Sequence, residues 1–173
     1  MTEIKEILKE RILVLDGAMG TMIQRYGLTE EDFRGEKFKD HPCPLKGNND
    51  LLSVTRPDVI KEIHAKYFEA GADIVETNSF GSTWVAQDDY QLASAVYDIN
   101  YASAKIAKEV ATEFTQKTPN KPRFVAGSIG PTTKLASMSP DVNDPGFRNI
   151  SFQELVDAFK EQVQGLVDGG SDL

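Results

Sequence analysis

Ile12-Leu13-Val14-Leu15-Asp16-Gly17-Ala18-Met19-Gly20-Thr21 is the stretch on which the fold of this chain turns. Four aliphatic residues in a row predict a short strand buried on both faces, as in a parallel sheet. The strand runs into a carboxylate and a loop of very small residues, where Gly17 and Gly20 let the backbone bend and let a ligand approach its N–H groups. In α/β folds ligands bind at the carboxyl ends of strands. An aspartate there suits an ammonium group and the neighbouring amides suit a carboxylate; together they would grip an amino acid. The bare pattern also fits a tight turn in which Asp16 caps the next helix, because short Gly-rich motifs are common.

Outward from this stretch the same unit recurs. A helix is expected over Glu3 to Glu10, with Ile4, Ile7 and Leu8 on one face, and one or two helical turns over Met19 to Tyr26. Residues 27–53 read as a long polar excursion, the kind that often covers a site. Pro57 suits a first helical position, and Val59, Ile60, Ile63, Tyr67 and Phe68 recur at helical spacing up to Gly71, with His64 packed among them. A strand follows over Asp73 to Thr77, ending in Asn78-Ser79-Phe80-Gly81. Ala86 to Phe114 reads as one or two helices, Arg123 to Ile129 as a third strand, and residues 132–150 as a second excursion. Ser151-Phe152-Gln153-Glu154 is a capping box, opening a helix with Phe152, Leu155, Val156, Phe159, Val163, Leu166 and Val167 on one side.

Strand, loop and helix in repetition argue for a parallel sheet, and long polar loops only after strands favour a barrel, whose chemistry gathers at one rim. Glu69-Ala70-Gly71-Ala72-Asp73-Ile74 is echoed by Val167-Asp168-Gly169-Gly170-Ser171-Asp172-Leu173. Each is a helix end, a small-residue turn, and an aspartate opening a strand. A βα barrel needs ~250 residues. Residues 1–173 are therefore expected to form one α/β unit, the N-terminal part of a (β/α)8 TIM barrel. It would hold about three parallel strands and stop at the start of strand four. The competing expectation is a compact three-stranded domain with a frayed tail.

The net charge of −8, with no Lys- or Arg-rich run, argues against nucleic acid as a partner. No apolar run approaches the ~20 residues that span a membrane, and the N-terminus does not resemble a secretory leader. A single cysteine, Cys43, excludes an internal disulfide and fits the reducing cytoplasm. With two distant histidines, His41 and His64, it makes a poor set of metal ligands.

Several strings together carry a resemblance. Leu15 to Thr21, Lys46-Gly47-Asn48-Asn49-Asp50-Leu51-Leu52, Thr55-Arg56-Pro57-Asp58-Val59-Ile60, Ala70 to Phe80 and Gly127-Ser128-Ile129-Gly130-Pro131-Thr132 closely resemble the N-terminal homocysteine-binding module of cobalamin-dependent methionine synthases, in the same order and from about residue 10 to the last residue. The resemblance implies a homocysteine S-methyltransferase. Homocysteine is held as a zinc thiolate, a form of lowered pKa, and takes a methyl group from methylcobalamin, itself recharged by 5-methyltetrahydrofolate on other modules. It implies that Asp16 contacts the substrate amino group, that the amides of Gly17, Ala18 and Met19 hold its carboxylate, and that Glu76, Thr77, Asn78 and Ser128 face the same rim.

The family's zinc ligands are one lone cysteine and an adjacent pair on later strands, and Cys43 matches none of them. Residues 1–173 alone are thus expected to hold no catalytic residue and no metal ligand, to be inactive, and to need the remainder of the barrel and the cobalamin and folate modules as partners. Betaine- or S-methylmethionine-type homocysteine methyltransferases share the Asp-Gly start and form the nearest alternative. A non-catalytic half-barrel that binds an amino acid or associates with itself is the contrasting one, since open sheet edges and apolar helix faces favour self-association.

Overall fold

The computed structural model describes residues 2–173, with side chains from Ile4 onward. The chain is an α/β protein. Its helices, in order, are α1 (Thr2–Glu10), α2 (Met19–Gln24), α3 (Glu30–Arg34), α4 (Leu52–Thr55), α5 (Pro57–Glu69), α6 (Trp84–Gln87), α7 (Val96–Lys117) and α8 (Phe152–Gly169). Two strands, β1 (Ile74–Glu76) and β2 (Phe124–Ala126), pair in parallel with Ile74 opposite Phe124, Val75 opposite Val125 and Glu76 opposite Ala126.

Two further segments extend this sheet. On one side Leu15 forms a parallel bridge to Ile74, and the Asp16 N–H donates to the Ile74 carbonyl at 2.9 Å. On the other, the N–H groups of Asp172 and Leu173 donate to the Val125 carbonyl at 2.8 and 3.2 Å. Four parallel segments thus lie side by side, compatible with part of a βα barrel.

The core has two main parts. Ile23, Phe33, Leu51, Leu52, Ile60, Ile63 and Ile99 pack between the short helices and α5 and α7. Val75 and Val125 pack against Phe68, Ala107, Val110 and Ala111 on the helical side of the sheet.

Three expectations are corrected. The stretch Ile12 to Leu15 is not buried on both faces: Ile12 is 86% and Val14 54% exposed. Only one edge of this segment is bonded, and among the described residues nothing covers its outer side. The excursion 27–53 is not wholly irregular; it carries α3 and a 3-10 turn at Asn49–Leu51 that leads into α4, with Thr29 and Asp32 forming a capping box. The third correction concerns α8, whose Phe152, Val156, Val163 and Val167 are exposed rather than buried. Its buried residues are Ala158, Gln162, Gly165 and Leu166, and it meets α7 closely at Gly165 and Gly169, which face Tyr97, Asn100, Tyr101 and Ala104. A methyl group at Gly169 would lie 2.6 Å from the Tyr101 carbonyl oxygen and 2.7 Å from the Ala104 side chain, so the small-residue stripe sets the contact, not the aliphatic one. The Ser151–Glu154 capping box is present as expected. The long helical stretch resolves into α6, two short 3-10 turns and α7.

Candidate active site

At the carboxyl ends of the strands the chain forms a cavity of about 660 Å³, within the size range of small-molecule sites. All eight residues singled out from the sequence line it: Asp16, Gly17, Ala18, Met19, Glu76, Thr77, Asn78 and Ser128. They come from three separate post-strand loops.

Asp16 is not a helix cap. The residue preceding α2 is Ala18, and no side chain caps that helix. The Asp16 carboxylate instead accepts the Glu76 N–H at 3.0 Å, from the end of β1. Burial, together with the nearby Glu76 charge, pushes the Asp16 carboxyl up to about 7, against the pull of that backbone donor. Among the described residues the N–H groups of Gly17 and Ala18 donate to no other backbone or side-chain group. A carboxylate without a cation and free amides therefore stand within three residues of each other.

Thr77 and Asn78 are both buried and spend their polar atoms on the protein. The Thr77 hydroxyl receives the Ser128 N–H at 2.8 Å and bonds the Ser79 hydroxyl at 2.7 Å. The Asn78 amide donates to the Asn49 carbonyl at 2.8 Å and the Ser53 hydroxyl at 3.2 Å. These two residues shape the rim by tying the loops together. Glu76 is exposed at the cavity.

Three contributors were not identified from the sequence. Asp50 accepts the Gly81 N–H at 2.7 Å and the Ser82 hydroxyl at 3.0 Å, and burial raises its carboxyl to about 6. Asn48 and Gln87 exchange amide bonds of 2.7 and 3.3 Å, and Gln87 also donates to the Gly81 carbonyl at 3.1 Å. The cluster Gly47-Asn48-Asn49-Asp50, small and polar inside a long excursion, was the available signal for the first two. Gln87, within a helical pattern, gave none.

The cavity lining holds four carboxylates (Asp16, Asp50, Glu76 and Asp89) and, among the described residues, no Lys or Arg. Such a lining suits a ligand that carries a positive group. The residues present do not fit a zinc ion. Cys43 donates to the Tyr90 carbonyl at 3.1 Å and His41 bonds the same oxygen at 2.8 Å. His64 is fully buried, its two ring nitrogens have no partner, and burial lowers it to about 4. Among the described residues no three His, Cys, Asp or Glu side chains stand together as a metal site.

An α/β sheet with a polar, anionic cavity at the carboxyl ends of its strands fits the βα class, in which small molecules bind at that end of the sheet. A model of the homocysteine S-methyltransferase family matches residues 13–173, and the chain belongs to that family. Among solved structures it is similar to the homocysteine methyltransferase MmuM from Escherichia coli. The metallated form matches with a TM-score of 0.70 and 24% identity over 97% of this chain and 54% of that one. The oxidized form matches with a TM-score of 0.70 and 25% identity over 96% and 53%. The chain thus spans about half the length of the solved structures it matches. Among the described residues no helix is long and apolar enough to cross a membrane.

Proposed function

We propose that this chain supplies the amino-acid-binding part of a homocysteine S-methyltransferase, holding homocysteine for methylation at sulfur to methionine. One observation carries the reading: the Asp16 carboxyl has no cationic partner, and it stands beside the unbonded N–H groups of Gly17 and Ala18 at the mouth of an anionic cavity. An α-amino acid brings both complements. Its ammonium replaces the cation that Asp16 lacks, and its carboxylate takes the free amides, as charge-assisted hydrogen bonds favour. Glu76 adds negative charge on the ammonium side. Thr77, Asn78 and Ser128 act by holding the three loops in register.

In this reading the sheet is the first part of a (β/α)8 barrel. The zinc that activates the thiol, and the cobalamin and 5-methyltetrahydrofolate that deliver the methyl group, are supplied from outside residues 1–173. The similarity of Lys46 to Leu52 and Thr55 to Ile60 to cobalamin-dependent methionine synthases supports that choice of donor. A betaine- or S-methylmethionine-type donor is compatible with the same amino-acid site.

Calorimetric titration with L-homocysteine and with N-acetyl-L-homocysteine, under reducing conditions, tests the reading. L-Homocysteine is expected to bind and the acetylated compound, which has lost its ammonium charge, to bind at least ~30-fold more weakly, the scale of a lost charge-assisted contact. Equal affinity for the two overturns the role of Asp16.

A further inference from the structure

Phe80 lines the same cavity and is 60% exposed there, although the backbone that carries it is held on every side. The Ser79 carbonyl receives the Gln162 amide at 2.8 Å, and the Ser79 hydroxyl donates to the Ser128 carbonyl at 2.9 Å. The Phe80 carbonyl receives the Gly130 N–H at 3.0 Å. The Gly81 N–H is held by Asp50 at 2.7 Å. The ring itself rests on Gly130, where an added methyl group would lie 2.8 Å from two ring carbons and collide with the Phe80 carbonyl. Gly130 is buried, so the ring has one side supported and the other open to the cavity.

A flexible loop that exposes a phenylalanine carries no message, because single exposed apolar residues are ordinary. A phenylalanine held open by fixed neighbours on both sides in sequence is different. Its position is preorganised, and the area it leaves uncovered is area that a ligand can cover without an ordering cost. The cavity offers few other apolar surfaces, Met19 and Tyr90 being the large ones and Ala18 and Ala86 the small ones, while its remaining wall is polar or glycine.

We infer that Phe80 is a specificity-determining residue of the site, the apolar wall against which the side-chain methylenes of the bound amino acid lie. This rests on the amino-acid reading given above and extends it from the charged end of the ligand to its side chain. Asp16 and the loop amides recognise what all α-amino acids share. Phe80 selects for an unbranched, uncharged side chain several atoms long, and discriminates against short ones that cannot reach the ring and against acidic ones that would desolvate a charge on it.

The test compares L-homocysteine with L-alanine, which keeps the ammonium and carboxylate and lacks the reach. Calorimetric affinities are measured for the chain and for Phe80→Ala and Phe80→Leu, with thermal unfolding of each. Phe80→Ala is expected to cut the homocysteine-to-alanine affinity ratio by about tenfold, the scale of a few lost methylene contacts, by weakening homocysteine alone. Phe80→Leu is expected to restore most of that ratio. The unfolding midpoint should stay near that of the parent, since the ring is largely exposed. An unchanged ratio in Phe80→Ala, with homocysteine still bound, overturns the inference and leaves the amino-acid reading standing. Failure of the unaltered chain to bind either amino acid overturns both.

Discussion

At the amino ends of the strands Asp73 is 1% exposed and surrounded by positive groups; at the carboxyl ends Asp16 is half-buried and meets none. Asp73 takes both terminal nitrogens of Arg11, at 2.9 and 2.8 Å, and the Val14 N–H at 2.9 Å, with Lys121 3.8 Å away. Burial by itself would raise its carboxyl, but Arg11, the Val14 donor and Lys121 outweigh that and hold it below the ordinary range. Asp16 has one backbone donor and a like-charged neighbour, and its carboxyl rises to about 7. Two aspartates at opposite ends of one sheet thus move in opposite directions. The difference separates a carboxylate that serves the fold, whose partners are all inside the protein, from one whose partner has yet to arrive. Strained carboxyls of the second kind cluster where ligands bind.

The largest effect is expected from breaking the satisfied end. Asp73→Ala removes the buried carboxylate, strips the Val14 N–H of its side-chain acceptor and leaves Arg11 unmatched. A loss of about 3 kcal/mol in urea unfolding is expected, the low end for a broken buried pair because Arg11 is partly solvated. A loss under ~0.5 kcal/mol would make Asp73 a mere surface partner and dissolve the contrast.

Asp16→Asn should behave in the opposite way. Homocysteine affinity is expected to fall at least ~10-fold, while stability at pH 8 rises by about 1 kcal/mol, a figure already discounted for the solvent contact of this half-buried group. The sign follows from the proton count. Between the unfolded value of 3.8 and the folded value of about 7, the folded chain holds a proton that the unfolded chain has lost. The stabilisation contributed by protonated Asp16 is therefore complete below about pH 4 and fades as the pH rises through 7. Unfolding free energies across that window should fall for the parent chain relative to Asp16→Asn. Parallel curves would mean that Asp16 titrates normally.

Much of this contrast was legible in the sequence, and the illegible parts share a cause. The strand openings at Asp73 and Asp172 and the Asp-Gly loop at Asp16 are local patterns, so their places in the sheet could be read directly. The eight residues around the cavity could be gathered because each ends or follows a strand. Asp50 was signalled only by the small polar cluster around it and Gln87 not at all, since their bonds to Gly81, Ser82 and Asn48 cross loops whose meeting no local spacing encodes. The exposed side of α8 was misread for a related reason. Periodicity finds an apolar stripe but not which stripe the neighbour covers, and here Gly165 and Gly169 admit α7 closer than the valines would.

The smallest effect should come from the second copy of the satisfied end, and it asks whether the comparison is a rule of this sheet or a property of one residue. Asp172 repeats the backbone bonds of the Asp73 arrangement. Its N–H and that of Leu173 donate to the Val125 carbonyl, as those of Asp73 and Ile74 donate to Val14. Its carboxylate accepts the Val125 N–H at 3.0 Å and meets Lys108 at 2.6 Å. Both turns are entered through a glycine of positive φ, Gly71 at 111° and Gly170 at 100°, a conformation other residues adopt only with strain. The copy differs in its cation, a single lysine in place of a two-pronged arginine backed by Lys121, and in its greater solvent contact. A lone lysine pair in water contact contributes little, so the backbone acceptor role should dominate. Asp172→Ala is expected to cost about 1 kcal/mol, and Asp172→Asn, which keeps an oxygen for the Val125 N–H, to cost less than half of that. Equal losses for both would place the stabilisation in the Lys108 pair and make the two strand openings alike in sequence only.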